Sequence, residues 1–191
     1  MQAEQAQLDA TKAAVGATVY PGDTLSTEAG GTMRLKVGSA QIYLLSSSAA
    51  TLSESTNFTH AVVNRGTVGF SSSVAEPLAL ETPLGIVRPA GGPAYGQVTL
   101  TGAREMIVSA YRGDLVVDYE GETHTIPEGK SYRVTMDLDP AAQPAAQGPY
   151  GTGVKPAVDP HYLLKLTAVA VVGVATYFLY RELSESPSKP N

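Results

Sequence analysis

The chain has no cysteine and no tryptophan. The first absence excludes disulfides, thiolate metal sites and thiol nucleophiles together, and leaves the redox compartment open. Basic residues are few: 13 Lys and Arg stand against 18 Asp and Glu, for a formal charge of −5. With those 13 scattered along the chain, no nucleic-acid partner is expected. Met1 to Val15 has neither a basic start nor an apolar core, so no signal peptide is visible. Either the chain is tail-anchored or an upstream signal is missing from it.

What the chain does contain is turn chemistry. Nineteen glycines and thirteen prolines suit a β-protein with many connections and fit a helical bundle badly. Thr32 to Val37 alternates, with Met33, Leu35 and Val37 on one face and Thr32, Arg34 and Lys36 on the other. Similar runs occupy Gln41 to Leu45, Thr67 to Ser71, Leu78 to Thr82, Gln97 to Thr101, Met106 to Ala110, Leu115 to Tyr119 and Tyr132 to Met136. Turn signals between them are Pro21-Gly22-Asp23, Gly30-Gly31, Gly38-Ser39, Asn64-Arg65-Gly66, Arg112-Gly113-Asp114, Glu120-Gly121-Glu122 and Pro127-Glu128-Gly129. The fold class expected is all-β, a solenoid-like or sandwich-like domain of many short strands. A strand, Arg-Gly, strand pattern occurs twice, at Val62 to Phe70 and at Val108 to Val117. It reads either as a pseudo-symmetric architecture or as chance recurrence of a common turn.

Five segments follow. Residues 1–15 are polar, with a short amphipathic helix expected from the Ala, Gln and Glu content; 16–136 form the β-domain; 137–160 are a Pro/Ala/Gly linker. Residues 161–182 are expected as a transmembrane helix and 183–191 as a polar tail. The apolar run Tyr162 to Tyr180 measures roughly 28 Å as a helix, close to the thickness of a bilayer's hydrocarbon core. Tyr162, Tyr177 and Tyr180 sit where an aromatic belt belongs, Lys165 is near enough to the end to snorkel, and Arg181 closes the segment. The lipid bilayer is therefore an expected partner through 162–180.

Candidate chemistry is sparse. His60, His124 and His161 lack ligand spacing, so a metal site requires the fold to gather His60 and His124; none is expected, nor any cofactor. Glu120, Glu122 and Glu128 surround a turn, where solvated carboxylates are ordinary. The serine clusters Ser46-Ser47-Ser48 and Ser71-Ser72-Ser73 carry no nucleophile elbow. Gly91-Gly92-Pro93-Ala94-Tyr95-Gly96 lacks the Lys-Ser/Thr of a phosphate loop and reads as a strand connection. No catalytic residue is assigned. Within Leu84 to Tyr95, Arg88 and Tyr95 are the residues singled out as a partner-binding surface.

Several pieces in order resemble the FecR domain. They are Gly16 to Thr27 (Gly-x-x-Val-x-x-Gly-Asp-x-Leu-x-Thr), Gly31 to Ser39, Arg65 to Phe70, Leu80 to Val87, Val108 to Val117 and Ile126 to Gly129. The resemblance covers about Gly16 to Val134 and implies an all-β extracytoplasmic module. Regulatory members of that family relay a signal to a sigma factor, with an anti-sigma domain before the membrane helix and the FecR domain after it. Here the β-domain comes first, so sigma regulation is not carried over. The expectation is a non-enzymatic membrane-anchored module that binds or senses an unidentified protein, glycan or small ligand. Its β-domain lies in the periplasm of a single-pass bacterial inner-membrane protein. The alternative is a structural accessory subunit of a membrane complex.

Overall fold

In the computed structural model, residues 2–38, 40–54, 59–73, 78–138 and 162–169 are described. They form fourteen strands and no helix. In order these are β1 (Gln2–Leu8), β2 (Thr11–Lys12), β3 (Thr24–Val37), β4 (Ala40–Leu44), β5 (Ala49–Glu54), β6 (Thr59–Ser72) and β7 (Leu78–Thr82). Then come β8 (Gly85–Pro89), β9 (Ala94–Gly102), β10 (Glu105–Arg112), β11 (Leu115–Tyr119), β12 (Glu122–Ile126), β13 (Lys130–Leu138) and β14 (Tyr162–Val169).

A strand has two edges, yet β6 has four partners. It must therefore belong to two sheets. Its first half pairs with β5 and β7, and its second half pairs with β4 and β9. Strand β3 divides the same way, between β5 near Thr24 and β4 beyond Met33, with β1 following it along the other edge. One sheet then runs β12-β11-β8-β7-β6-β5-β3-β1-β2 and the other β14-β13-β10-β9-β6-β4-β3-β1.

The corners are made by glycine. Gly66 has φ +75, and a Cβ there would meet the Ser48 side chain and backbone. At Gly30 φ is +79, and a Cβ on Gly31 would collide with the Gln5 carbonyl oxygen, where β1 carries its own register shift. The sequence marks Gly30-Gly31 and Asn64-Arg65-Gly66 as turns ending strands; the structure makes them bends inside 14-residue strands. Arg65-Gly66 and Arg112-Gly113 both sit where the chain passes from one sheet to the other.

Between the sheets lies one core. Leu25, Leu80, Val87, Val117 and Ile126 from one side meet Ile42, Leu44, Val68, Phe70, Val98, Met106, Val108 and Val134 from the other, all fully buried. This is a sandwich, not a solenoid. A solenoid stacks parallel coils, whereas among the described residues only β6 and β7 pair in parallel. Even that pair has a local cause: the second half of β6 crosses the other sheet before the chain returns as β7.

Two segments depart from expectation. Residues 2–8, expected as a helix, are strand β1, because the β3 edge offers every second backbone group a partner and Ala6 is buried at 3% exposure. Tyr162–Val169, expected as the first half of a membrane helix, are strand β14 on β13. Alternation explains it: Leu164 and Leu166 pack on the core while Lys165 and Thr167 face outward. Lys165 Nζ meets Asp137 Oδ2 at 2.8 Å instead of reaching for a headgroup. No helix among the described residues is long and apolar enough to cross a membrane. Residues 170–182, with Tyr177, Tyr180 and Arg181, lie outside the described residues, as do 183–191 and the linker from 139 onward; Asp137 and Leu138 belong to β13.

Candidate functional site

Side chains facing outward from the first sheet line a depression. Register sets the arrangement. Arg88 on β8 stands opposite Val116 on β11, and Ile86 stands opposite Asp118, so Arg88 and Asp118 are diagonal neighbours on the outer face. Arg88 Nε meets Asp118 Oδ2 at 2.5 Å. Thr123 donates its hydroxyl to the other carboxylate oxygen at 2.6 Å. Burial favours the neutral acid, but the hydrogen bonds from Thr123 and Arg88, with the Arg88 charge, outweigh it and hold the Asp118 carboxyl below its ordinary range.

This pair rims a cleft of about 360 Å³. Leu78 and Ala79 of β7 and Ile86 and Pro89 of β8 give it apolar walls, and Gly91, Gly92, Ser72 and Ser73 complete the lining. Ile86 is 38% exposed, unusually open for its size. Arg88 uses Nε on Asp118, and its other guanidinium donors have no partner among the described residues. An apolar pocket with one oriented charge suits an amphipathic ligand with an anionic or carbonyl end.

Tyr95 is not part of it. It faces outward from the second sheet, on the opposite side of the sandwich from Arg88. Its ring lies 5.3 Å from that of Tyr111, whose hydroxyl donates to Gln97 Oε1 at 3.3 Å. Burial pushes the Tyr111 phenol up despite a hydrogen bond with Ser109. On the same face Arg34 lies over the Tyr43 ring at 5.5 Å, and both bond to Gln41 Oε1 at 2.7 Å. This tyrosine-rich face escaped the sequence reading, although its signal was present: aromatic and amide residues at the outward positions of β4, β9 and β10.

His60 and His124 do not meet. His60 faces outward on β6, with Nε2 3.5 Å from Glu81 Oε2. His124 shares the inward face of β11–β12 with Val117, its Nε2 3.4 Å from Glu122 Oε2. Three strands separate β6 from β12, about 19 Å along a sheet. No group of three ligating side chains occurs among the described residues. Glu128 is a tie between turns: it accepts from Gly113 N at 2.9 Å, while its own N–H donates to Asp114 at 2.8 Å. Ser72 is similarly structural, its Oγ accepting from Leu78 N at 3.2 Å. Ser48 bonds both backbone groups of Thr67 and so closes the β6 corner.

No family model matches the chain, and no curated protein matches it by sequence. Its fold is similar to two crystal structures of a "putative anti-sigma factor" from Parabacteroides distasonis. Each has a TM-score of 0.50 at 15% identity, over 74% of this chain and 58% of the other. At that identity the likeness is one of fold. The chain spans less than two thirds of the neighbours' length.

Proposed function

We propose that this chain is a non-enzymatic binding or sensing module, FecR-like in kind, which takes an amphipathic ligand or partner group into the Arg88–Asp118 cleft. The observation that carries the reading is the cleft itself: apolar walls beside the Arg88–Asp118 ion pair, with one Arg88 nitrogen committed to Asp118. The fold likeness supports it, since the neighbours bear a regulatory description. In this reading the β-domain works on the periplasmic side of the bacterial inner membrane. Attachment to the bilayer through 162–180 requires those residues as a helix, so it belongs to a state in which β14 has left β13.

The test uses 8-anilinonaphthalene-1-sulfonate, an apolar dye with one anionic group. It should bind saturably with one site per chain. Arg88→Gln should weaken it several-fold, and Ile86→Glu should abolish it with the fold intact by circular dichroism. Unsaturable dye binding, or equal affinity in all three proteins, would exclude the cleft as a ligand site.

A further inference from the structure

Strand β14 is attached to the molecule differently from every other strand. Twenty-three residues, 139–161, separate it from β13, its only partner among the described residues. Eight register pairs, from Ser131↔Val169 to Leu138↔Tyr162, join the two. Yet among the described side chains of this strand, Leu164 and Leu166 alone pack on the core, both partly exposed, and Leu163 is 45% exposed. The Lys165–Asp137 pair is open to water, its side chains 65% and 52% exposed, and so contributes little. The strand beneath is well held: Val134 is fully buried, and β13 pairs with β10 over six positions.

An edge of nine residues is a liability that proteins cover. The other sheet's ends are shorter, two residues at β2 and five at β12. We propose that the outer edge of β13 is a strand-acceptor site for an extended segment of a partner protein, and that β14 is its releasable cover. Strand β14 itself defines the chemistry of the occupant: an antiparallel segment with apolar side chains at two alternate positions, to cover Val134 and Met136, and a basic residue between them for Asp137. Backbone pairing supplies the affinity and the alternate apolar side chains the specificity. Tethering places the cover at an effective concentration on the order of millimolar, so a free segment at micromolar concentration competes only when the cover is loosened.

A fluorescein-labelled peptide with the sequence of residues 162–169 serves as the probe, with fluorescence anisotropy as the readout. The full chain carrying Leu164→Asp and Leu166→Asp should bind it at least tenfold more tightly than the unaltered chain does. A scrambled peptide should bind neither. Lys165→Glu, which sets a like charge against Asp137, should act in the same direction as the leucine substitutions. Equal binding by altered and unaltered chains, or none by either, would overturn the proposal. Hydrogen exchange on the unaltered chain tests it without mutation. The β14 amides should exchange well before those of β6 and β10; loss of protection in step with those strands would show that the cover never opens alone.

Discussion

The hydroxyl oxygen of Ser48 lies 2.5 Å from the point where a Cβ on Gly66 would stand, and Ser48 Cα lies 2.7 Å from it. This approach lets β6 turn from one sheet into the other, so the sandwich depends on it. Gly66→Ala should cost about 2–4 kcal/mol, combining left-handed backbone strain with a clash that backbone atoms cannot relieve. Gly22→Ala, at φ +97 but in open space, should cost only about 1 kcal/mol. Urea midpoints of the two variants check the difference.

Ala6 separates a strand from a helix at the N-terminus. Buried at 3% exposure on β1, it has no room for a charge. Ala6→Asp should destabilise the fold by about 2–4 kcal/mol in urea unfolding. A solvated amphipathic helix would tolerate the change.

Asp118 gives the cleft a pH signature. Its carboxyl is held low, so its contribution to stability is fully present above the ordinary carboxylate range. It is lost as pH falls through the lowered folded value. Below about pH 4 the urea midpoint of the unaltered protein should fall more steeply than that of Asp118→Asn. Parallel curves would mean that Thr123 and Arg88 do not hold the charged form.

Tyr111 titrates in the opposite sense. Its raised phenol favours the neutral form in the folded state, so the associated stability is present below about pH 10 and lost as pH rises through the folded value. In an absorbance titration Tyr111 should ionise late, above the ordinary phenol range. Tyr111→Phe should delete that late step.

The strands with clean alternation were legible from sequence. Leu78–Thr82 and Leu115–Tyr119 have the bounds that their pattern predicts, and the Met33, Leu35, Val37 face does point to the core. Strands β5, β8 and β12 were not legible, being short and mixed in composition, and set by their partners rather than by their own pattern. The Gly-containing bends misled for a physical reason: a glycine at positive φ ends one strand or folds a long one, and only the neighbouring strands decide which. The apolar run at 162–180 misled in part because Leu164, Leu166 and Lys165 satisfy a strand edge as well as a helix. Of the residues lining the cleft, Arg88 is singled out by its loop in the sequence, whereas Asp118 and Ile86 are brought beside it only by the β8–β11 register. Tyr95 was paired with Arg88 by nearness in sequence, although successive strands carry them to opposite faces.

The most direct test of the Arg88–Asp118 cleft is an amide chemical-shift titration of the 15N-labelled chain with 8-anilinonaphthalene-1-sulfonate. The account predicts shifts confined to Leu78, Ala79, Ile86 to Arg88, Gly91, Gly92 and Asp118, with β3, β4 and β10 unmoved. Shifts centred on Tyr43, Tyr95 and Tyr111, or spread evenly over both sheets, would contradict it.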